Sequence, residues 1–373
     1  MLYWIAPYLT EVWGPFRLLS SHLMLLAAGT LTGGLVIWSF LPRLWNRLPT
    51  DRGKILAADG GKKSAGKPTG AGVLMALLLI PVIALFVPLG LWEFGTVLCL
   101  YLSMLFGYLD DRSHLPWGEL KKGVLDMVVA LGAAFCLYMA HGSDVWLPFF
   151  KHAVEIPLMF YVPGAALLLW FTMNATNCSD GVDGLAGSLT LLSLFALAGL
   201  LYGVVGYRPI ANYLLIPHNP YGARWAILVA TVAGSLAGYL WHNAEPSRVL
   251  MGDAGSRLLG MLVGVAVLAA GNPFLIVVVS PVVLVNGGTG LFKLVLLRTF
   301  RRIGFDVRPT STLSPEAASR QHTLIKMLHR VRFPLHDHCR KNMHWSNAQV
   351  LMRFVLIQAF LTPLLFVILI KIR

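Results

Sequence analysis

Charge is scarce in this chain. Asp, Glu, Lys and Arg make up 13% of its 373 residues, about half the share found in a soluble domain. Hydrophobic residues make up 57%, and the mean hydropathy is +0.69. Together these exclude an ordinary soluble enzyme and predict an integral membrane protein. Cysteine is also sparse, at four residues, which excludes a disulfide framework. Cys99 and Cys136 lie in apolar segments and read as small core residues. Cys178 and Cys339 lie in polar loops, where a thiol could react. The first 16 residues lack a basic start followed by an apolar core, so no cleavable signal peptide is expected. Acidic residues are fewer than basic ones, 17 against 30, for a net charge of +13. In a membrane protein that excess reflects the positive-inside rule and contact with anionic lipids or phosphates, so no nucleic-acid partner is expected.

Apolar runs predict ten membrane spans, an all-α polytopic fold in a single domain, 1–373. Their cores lie near 22–41, 73–91, 94–109, 124–140, 156–173, 185–205, 225–242, 258–270, 274–297 and 350–370. The loops after odd-numbered spans, about 43–69, 110–123, 174–184, 243–257 and 298–349, carry 22 Lys and Arg. The opposite side, termini included, carries 6. That asymmetry predicts odd-numbered loops in the cytoplasm and both termini outside.

The acids that do occur gather in those loops. Asp110 and Asp111 follow an almost wholly apolar segment, where carboxylates are costly unless they meet water, a metal or a cation. Two carboxylates this close repel, so a divalent cation or a lysine is needed to keep both ionised. Lys121 and Lys122 open the next span and are placed to supply that charge. Taken alone, the pair also reads as solvated residues ending a helix. The other acidic loops on the same face argue against that.

Asn174-Ala-Thr-Asn177-Cys-Ser-Asp180-Gly-Val-Asp183-Gly-Leu-Ala186 is the most specific string. Its two glycosylation sequons are discounted, because the loop is short and predicted cytoplasmic. It also lacks the distal glutamate of a calcium loop. Amides and carboxylates alternating with glycine suit a nucleobase edge, a ribose or phosphates. Asp253 sits in Met-Gly-Asp-Ala-Gly-Ser before another span, as either a magnesium ligand or a helix cap. Gly61 to Lys67 match most of a P-loop, but Pro68 stands where Ser or Thr is required and no strand precedes it. Lys62, Lys63 and Lys67 are still able to close over a diphosphate. Phe-Pro-Leu-His336-Asp337-His338-Cys339 lies in the most basic loop. With no distant partner pair it makes a poor zinc signature, and histidines beside phosphates more often donate hydrogen bonds. The overall pattern points to a magnesium site that handles phosphates at the membrane surface.

Taken together, the paired aspartates, Asn-x-x-Asn-x-x-Asp-Gly-x-Asp-Gly-Leu-Ala and Met-Gly-Asp-x-Gly-Ser resemble the polyprenyl-phosphate N-acetylhexosamine-1-phosphate transferases. The resemblance runs from about residue 48 to the last span. Pro334-Leu335-His336-x-His338 points to the muramoyl branch, whose pattern is Pro-Leu-His-His-His. The resemblance implies ten transmembrane helices, a cytoplasmic active site, a homodimer and a place in the bacterial inner membrane. It implies transfer of phospho-MurNAc-pentapeptide from its UDP donor to undecaprenyl phosphate with Mg²⁺, giving lipid I and UMP. Asp253 matches the family's magnesium ligand, Asp110 the carboxylate proposed as base or nucleophile, and Asp111 its neighbour. Asn174, Asn177, Asp180, Asp183 and Asn243 match nucleotide- and metal-site positions, and His336 and His338 match two of three histidines.

The chain departs from the family at Asp337, at Lys67-Pro-Thr-Gly-Ala-Gly72, at His114 and at Leu250. Two alternatives stand beside this reading. A sister transferase would use UDP-GlcNAc, and a tail loop closer to His-x-His-His would point to it. An ion-coupled transporter would carry paired ionisable residues near midspan. Asp126 and Lys293 are the main candidates within spans, and the remaining acids cluster at one face.

Overall fold

A computed structural model describes the chain apart from residues 52–63, 114, 116, 148–149, 151, 310–320 and 372–373. Among the described residues, nine helices are long and apolar enough to cross a membrane. A tenth apolar helix, α3 (Ala71–Phe86), has 16 residues. It spans about 24 Å at 1.5 Å per residue, short of a hydrocarbon core of about 30 Å. The protein is therefore an all-α polytopic membrane protein, and every expected span corresponds to helix.

The chain opens with α1 (Leu2–Val12) and α2 (His22–Leu44). After α3 come α4 (Leu91–Arg112) and α5 (Glu119–His141). A two-stranded antiparallel ribbon, β1 (Asp144–Val145) with β2 (Val154–Glu155), follows. Next are α6 (Leu158–Ser179), α7 (Leu185–Leu200), the short α8 (Arg208–Tyr213), α9 (Gly222–Asn243) and α10 (Gly252–Ala269). The expected ninth span is not one helix. It breaks into α11 (Leu275–Val279), α12 (Pro281–Val283), a π-turn at Leu284–Gly288 and α13 (Thr289–Arg302). Proline has no N–H to continue the ladder and clashes with the turn before it, so Pro281 restarts the helix. α14 (Thr323–Arg330), α15 (Leu335–Asn342) and α16 (Asn347–Lys371) complete the chain.

α9 and α10 form the centre of the bundle, with Trp225 and Tyr239 of α9 fully buried. α2 lies along α9 with Gly34 against Gly234 and Gly238 and Gly33 against Thr231, where a Cβ would meet the neighbouring backbone. Small residues let helices approach closely in lipid, where no hydrophobic force drives them together. Several helix ends lie beyond the expected loop edges. α4 runs through Asp110 and Asp111, and α6 runs through Asn174 and Asn177. α10 already includes Asp253. A polar group at the end of a helix breaks an apolar run without breaking the helix, so hydropathy places the boundary too early.

Candidate active site

α4, α5 and α10 bring their charged ends together. α4 crosses α10 at Gly107, where a Cβ would lie 2.5 Å from the Asp253 carbonyl oxygen. One turn later, Asp111 accepts from the backbone N–H groups of Asp253 and Ala254, each at 3.1 Å. The first N–H groups of a helix have no partner within it, and a carboxylate there also meets the positive end of the helix dipole. Asp111 of α4 therefore caps α10, the part that sequence had offered to Asp253. Gly252 has φ of +71°, and a Cβ there would collide with the Asp111 carboxylate.

Asp110 is buried beside this cap. Its Oδ1 accepts from the Trp117 N–H at 2.9 Å, and its Oδ2 pairs with Lys122 of α5. The same ammonium lies 3.5 Å from Asp253 Oδ2. Asp110 and Asp253, far apart in sequence, thus converge on one cation. Lys121 points elsewhere, 3.6 Å above the Trp117 ring. Beneath the carboxylates, Arg257 of α10 reaches Asp253 Oδ2 at 3.4 Å through Nη2 and Asp126 Oδ1 at 2.8 Å through Nη1. Asn174 donates to Asp126 Oδ2 at 3.4 Å and to the Trp170 carbonyl, while Asn177 donates to Ser256 Oγ at 3.1 Å. Arg257 was not among the expected site residues, though it lies one turn after Asp253, where a helix places neighbours on one face.

A second group lies at the same end of the bundle. Lys67 pairs with Asp183 at 3.4 Å and donates to Ser247 Oγ at 2.8 Å, and the Ser247 N–H donates to Asp183 at 3.1 Å. Asp180 is the C-cap of α6. Asn243 is a joint between loops, accepting from the Gly184 N–H and donating to the Val249 carbonyl, each at 2.8 Å. Leu250 holds the 67–72 segment through its backbone, donating to the Pro68 carbonyl and accepting from the Ala71 N–H. Lys62, Lys63 and His114 lie outside the described residues.

His336 of α15 is buried against Gly181, where any Cβ would collide with Nε2. Asn286, in the π-turn, accepts from the His336 backbone N–H at 2.9 Å and lies 3.1 Å from Nδ1 through the same Oδ1. A backbone N–H can only donate, so the atom facing it is the amide oxygen. Nδ1 then carries a proton, and Nε2 is the nitrogen directed towards the 177–184 string. Nothing in the sequence pointed to Asn286, whose place depends on the broken ninth span. Asp337 sits 4.0 Å from both His336 Nε2 and Arg340 Nη1. His338 Nδ1 accepts from the Arg332 N–H at 3.4 Å.

The donor set suits a hard cation. No three His, Cys, Asp or Glu side chains gather as a metal group among the described residues. Two carboxylates converge, however, and magnesium is commonly held by one or two carboxylates completed by phosphate oxygens and water.

The pattern of glycosyl transferase family 4 matches residues 94–271, which contain Asp110, Asp111, Lys122, Asn177 and Asp253. The chain is 42% identical to phospho-N-acetylmuramoyl-pentapeptide-transferase of Treponema pallidum, the same in each of two strains, over 99% of its length and 96% of the relative's. It is 28% identical to the enzyme of that name from Bartonella quintana (strain Toulouse), over 90% of both chains. With identity of 42% sustained from end to end, this chain belongs to the family of phospho-N-acetylmuramoyl-pentapeptide-transferases.

Proposed function

We propose that the protein transfers phospho-MurNAc-pentapeptide from its UDP donor to undecaprenyl phosphate, giving lipid I and UMP for peptidoglycan synthesis. The observation that carries this reading is the convergence of Asp110 and Asp253 on Lys122 at one end of a membrane bundle. Phosphoryl transfer is catalysed mainly by positioning and charge stabilisation, and this cluster supplies both. The lipid phosphate is already ionised near neutral pH, so it needs placing more than deprotonating. Both oxygens of Asp110 are engaged, by Lys122 and by the Trp117 N–H. That suits a carboxylate that holds charge in place better than one that removes a proton.

Asp253 would hold Mg²⁺, which when bound neutralises the donor diphosphate and eases departure of UMP. Lys122 balances the two carboxylates, and Asp111 keeps the start of α10 in register with them. Lys67, Asp183, Asn177 and His336 surround the same end and are placed to receive the nucleotide and diphosphate. The excess of Lys and Arg in the odd-numbered loops supports a cytoplasmic position for that end, and the family resemblance supports a bacterial inner membrane and a homodimer.

The decisive experiment gives purified protein undecaprenyl phosphate, Mg²⁺ and a panel of UDP-sugars. Lipid I and UMP should form from UDP-MurNAc-pentapeptide. Preferential turnover of UDP-GlcNAc would instead place the protein in the sister branch. Single-cysteine labelling in intact cells tests sidedness, with the exposed neighbours of the site at positions 112, 245 and 342 expected to be shielded from an impermeant reagent. Native mass spectrometry tests the dimer.

A further inference from the structure

Arg257 and Asp126 have no place in the mechanism above, yet they are among the most buried charges in the protein. Arg257 is 3% exposed and Asp126 is 1% exposed. Both lie in membrane-spanning helices, where an ion pair that merely filled space would be outcompeted by apolar side chains of the same volume. Ionisable groups at such positions generally serve function. The geometry shows which function. The guanidinium bridges two carboxylates, binding Asp126 through Nη1 at 2.8 Å and Asp253 through Nη2 at 3.4 Å. The shorter contact is to Asp126, which Asn174 also holds at 3.4 Å. Arg257 Nε is buried with no hydrogen-bond partner among the described residues, and the ion pairs the guanidinium makes run through its two Nη atoms.

We propose that Asp126 and Arg257 are positioning residues that set how strongly Asp253 holds a divalent cation. The inference rests on the assignment of that cation to Asp253. A guanidinium against Asp253 Oδ2 opposes a second cation on the same carboxylate. Asp126 offsets part of that opposition, because it neutralises the guanidinium from its other side and draws it away from Asp253. The pair thus presents its positive end to the site. The charges around Asp253 include Lys122 and Asp126 from α5, Arg257 from its own helix, and Asp110 and Asp111 from α4.

The sign of the effect follows. Asp126→Asn leaves Arg257 charged but no longer offset, so Asp253 should bind a cation more weakly. Removing both charges together, in Asp126→Leu with Arg257→Leu, lifts the opposition and should tighten binding. A pair that only held helices together would not move cation affinity in opposite directions in these two variants.

The test is Mn²⁺ binding by electron paramagnetic resonance, on the full-length protein in nanodiscs without substrates. Thermal melts report folding. The expected result is a Kd raised at least threefold in Asp126→Asn and lowered at least threefold in the double variant. Shifts of the same sign, or either shift under threefold in folded protein, would overturn the inference. If Asp126→Asn does not fold, the double variant decides alone, and a Kd not lowered threefold overturns the proposal. Wild-type protein that binds no Mn²⁺ overturns both this inference and the metal assignment, while the donor panel still judges the transferase reading separately.

Discussion

The two ends of the bundle treat buried charge differently. At the active end, Asp110, Asp126 and Asp253 share the cations Lys122 and Arg257, and Asp111 lies beside them. Carboxylates outnumber cations, and the remainder is met by backbone N–H groups from Trp117, Asp253 and Ala254. At the other end, one buried acid meets one cation. Glu93 at the start of α4 lies 3.7 Å from Arg224 at the start of α9, and it accepts from the Gly90 N–H at 2.5 Å. Aromatic rings close over that arginine, with Trp4 at 5.9 Å and Tyr221 at 5.3 Å. A one-to-one pair screened by rings ties helices together. A cluster in which carboxyl groups outnumber cations suits the divalent cation proposed for it. The same helices, α4 and α9, thus carry a structural clasp at one end and site residues at the other.

Breaking the active cluster should have the largest effect. Asp253→Asn keeps the size of the side chain and removes a charge shared by Lys122 and Arg257. Lipid I formation at saturating substrates should fall by about a thousandfold, near the upper range for loss of one preorganised charge contact. Turnover within tenfold of wild type at limiting Mg²⁺ would remove Asp253 from the chemistry.

His336→Ala should come next, at about a hundredfold, through loss of an imidazole that, once protonated at Nε2 beside the donor, donates to phosphate charge. Steady-state rates at saturating undecaprenyl phosphate measure it. A change in thermal stability alone, with normal turnover, would make the contact with Gly181 purely a packing contact.

At the opposite end, Arg224→Met should cost stability and leave catalysis alone. Leaving Glu93 buried without its partner should destabilise by about 1–3 kcal/mol, read as a lower melting temperature. Activity per folded molecule should stay within about twofold. A catalytic loss without a shift in melting would mean that the two ends are coupled, and the contrast drawn above would not hold.

The smallest effect is expected at Asp337. It lies 4.0 Å from both Arg340 and His336, too far for a strong hydrogen bond to either. Asp337→His should keep activity within roughly tenfold, equivalent to about 1.4 kcal/mol in the barrier. Loss of turnover in Asp337→Ala, with His338→Ala unaffected, would make position 337 the functional one.

Much was legible in the residues alone. Runs of apolar side chains long enough to cross lipid must form helices, because lipid offers the backbone no other partner. That determined the fold class and where along the chain the apolar helices lie. The Asp-Asp, Asn-x-x-Asn and Met-Gly-Asp strings marked the chemistry, because acids at the ends of apolar runs need cations. Lys122 was named for the same reason, and it does bridge Asp110 and Asp253. Only the tertiary structure could decide the division of labour among these groups. Asp111 became a cap because α4 happens to end beside the start of α10, and Asp253 could not cap a helix that it already belongs to. Asp126 had looked like a stray intramembrane acid until α5 met α10 and gave it Arg257. Asn286 acquired its histidine from a proline break that turns α12 and the π-turn towards α15. Periodicity and composition report what one segment needs from its surroundings. Which neighbour meets that need depends on how helices cross, and a crossing is settled by contacts between residues 50 to more than a hundred positions apart.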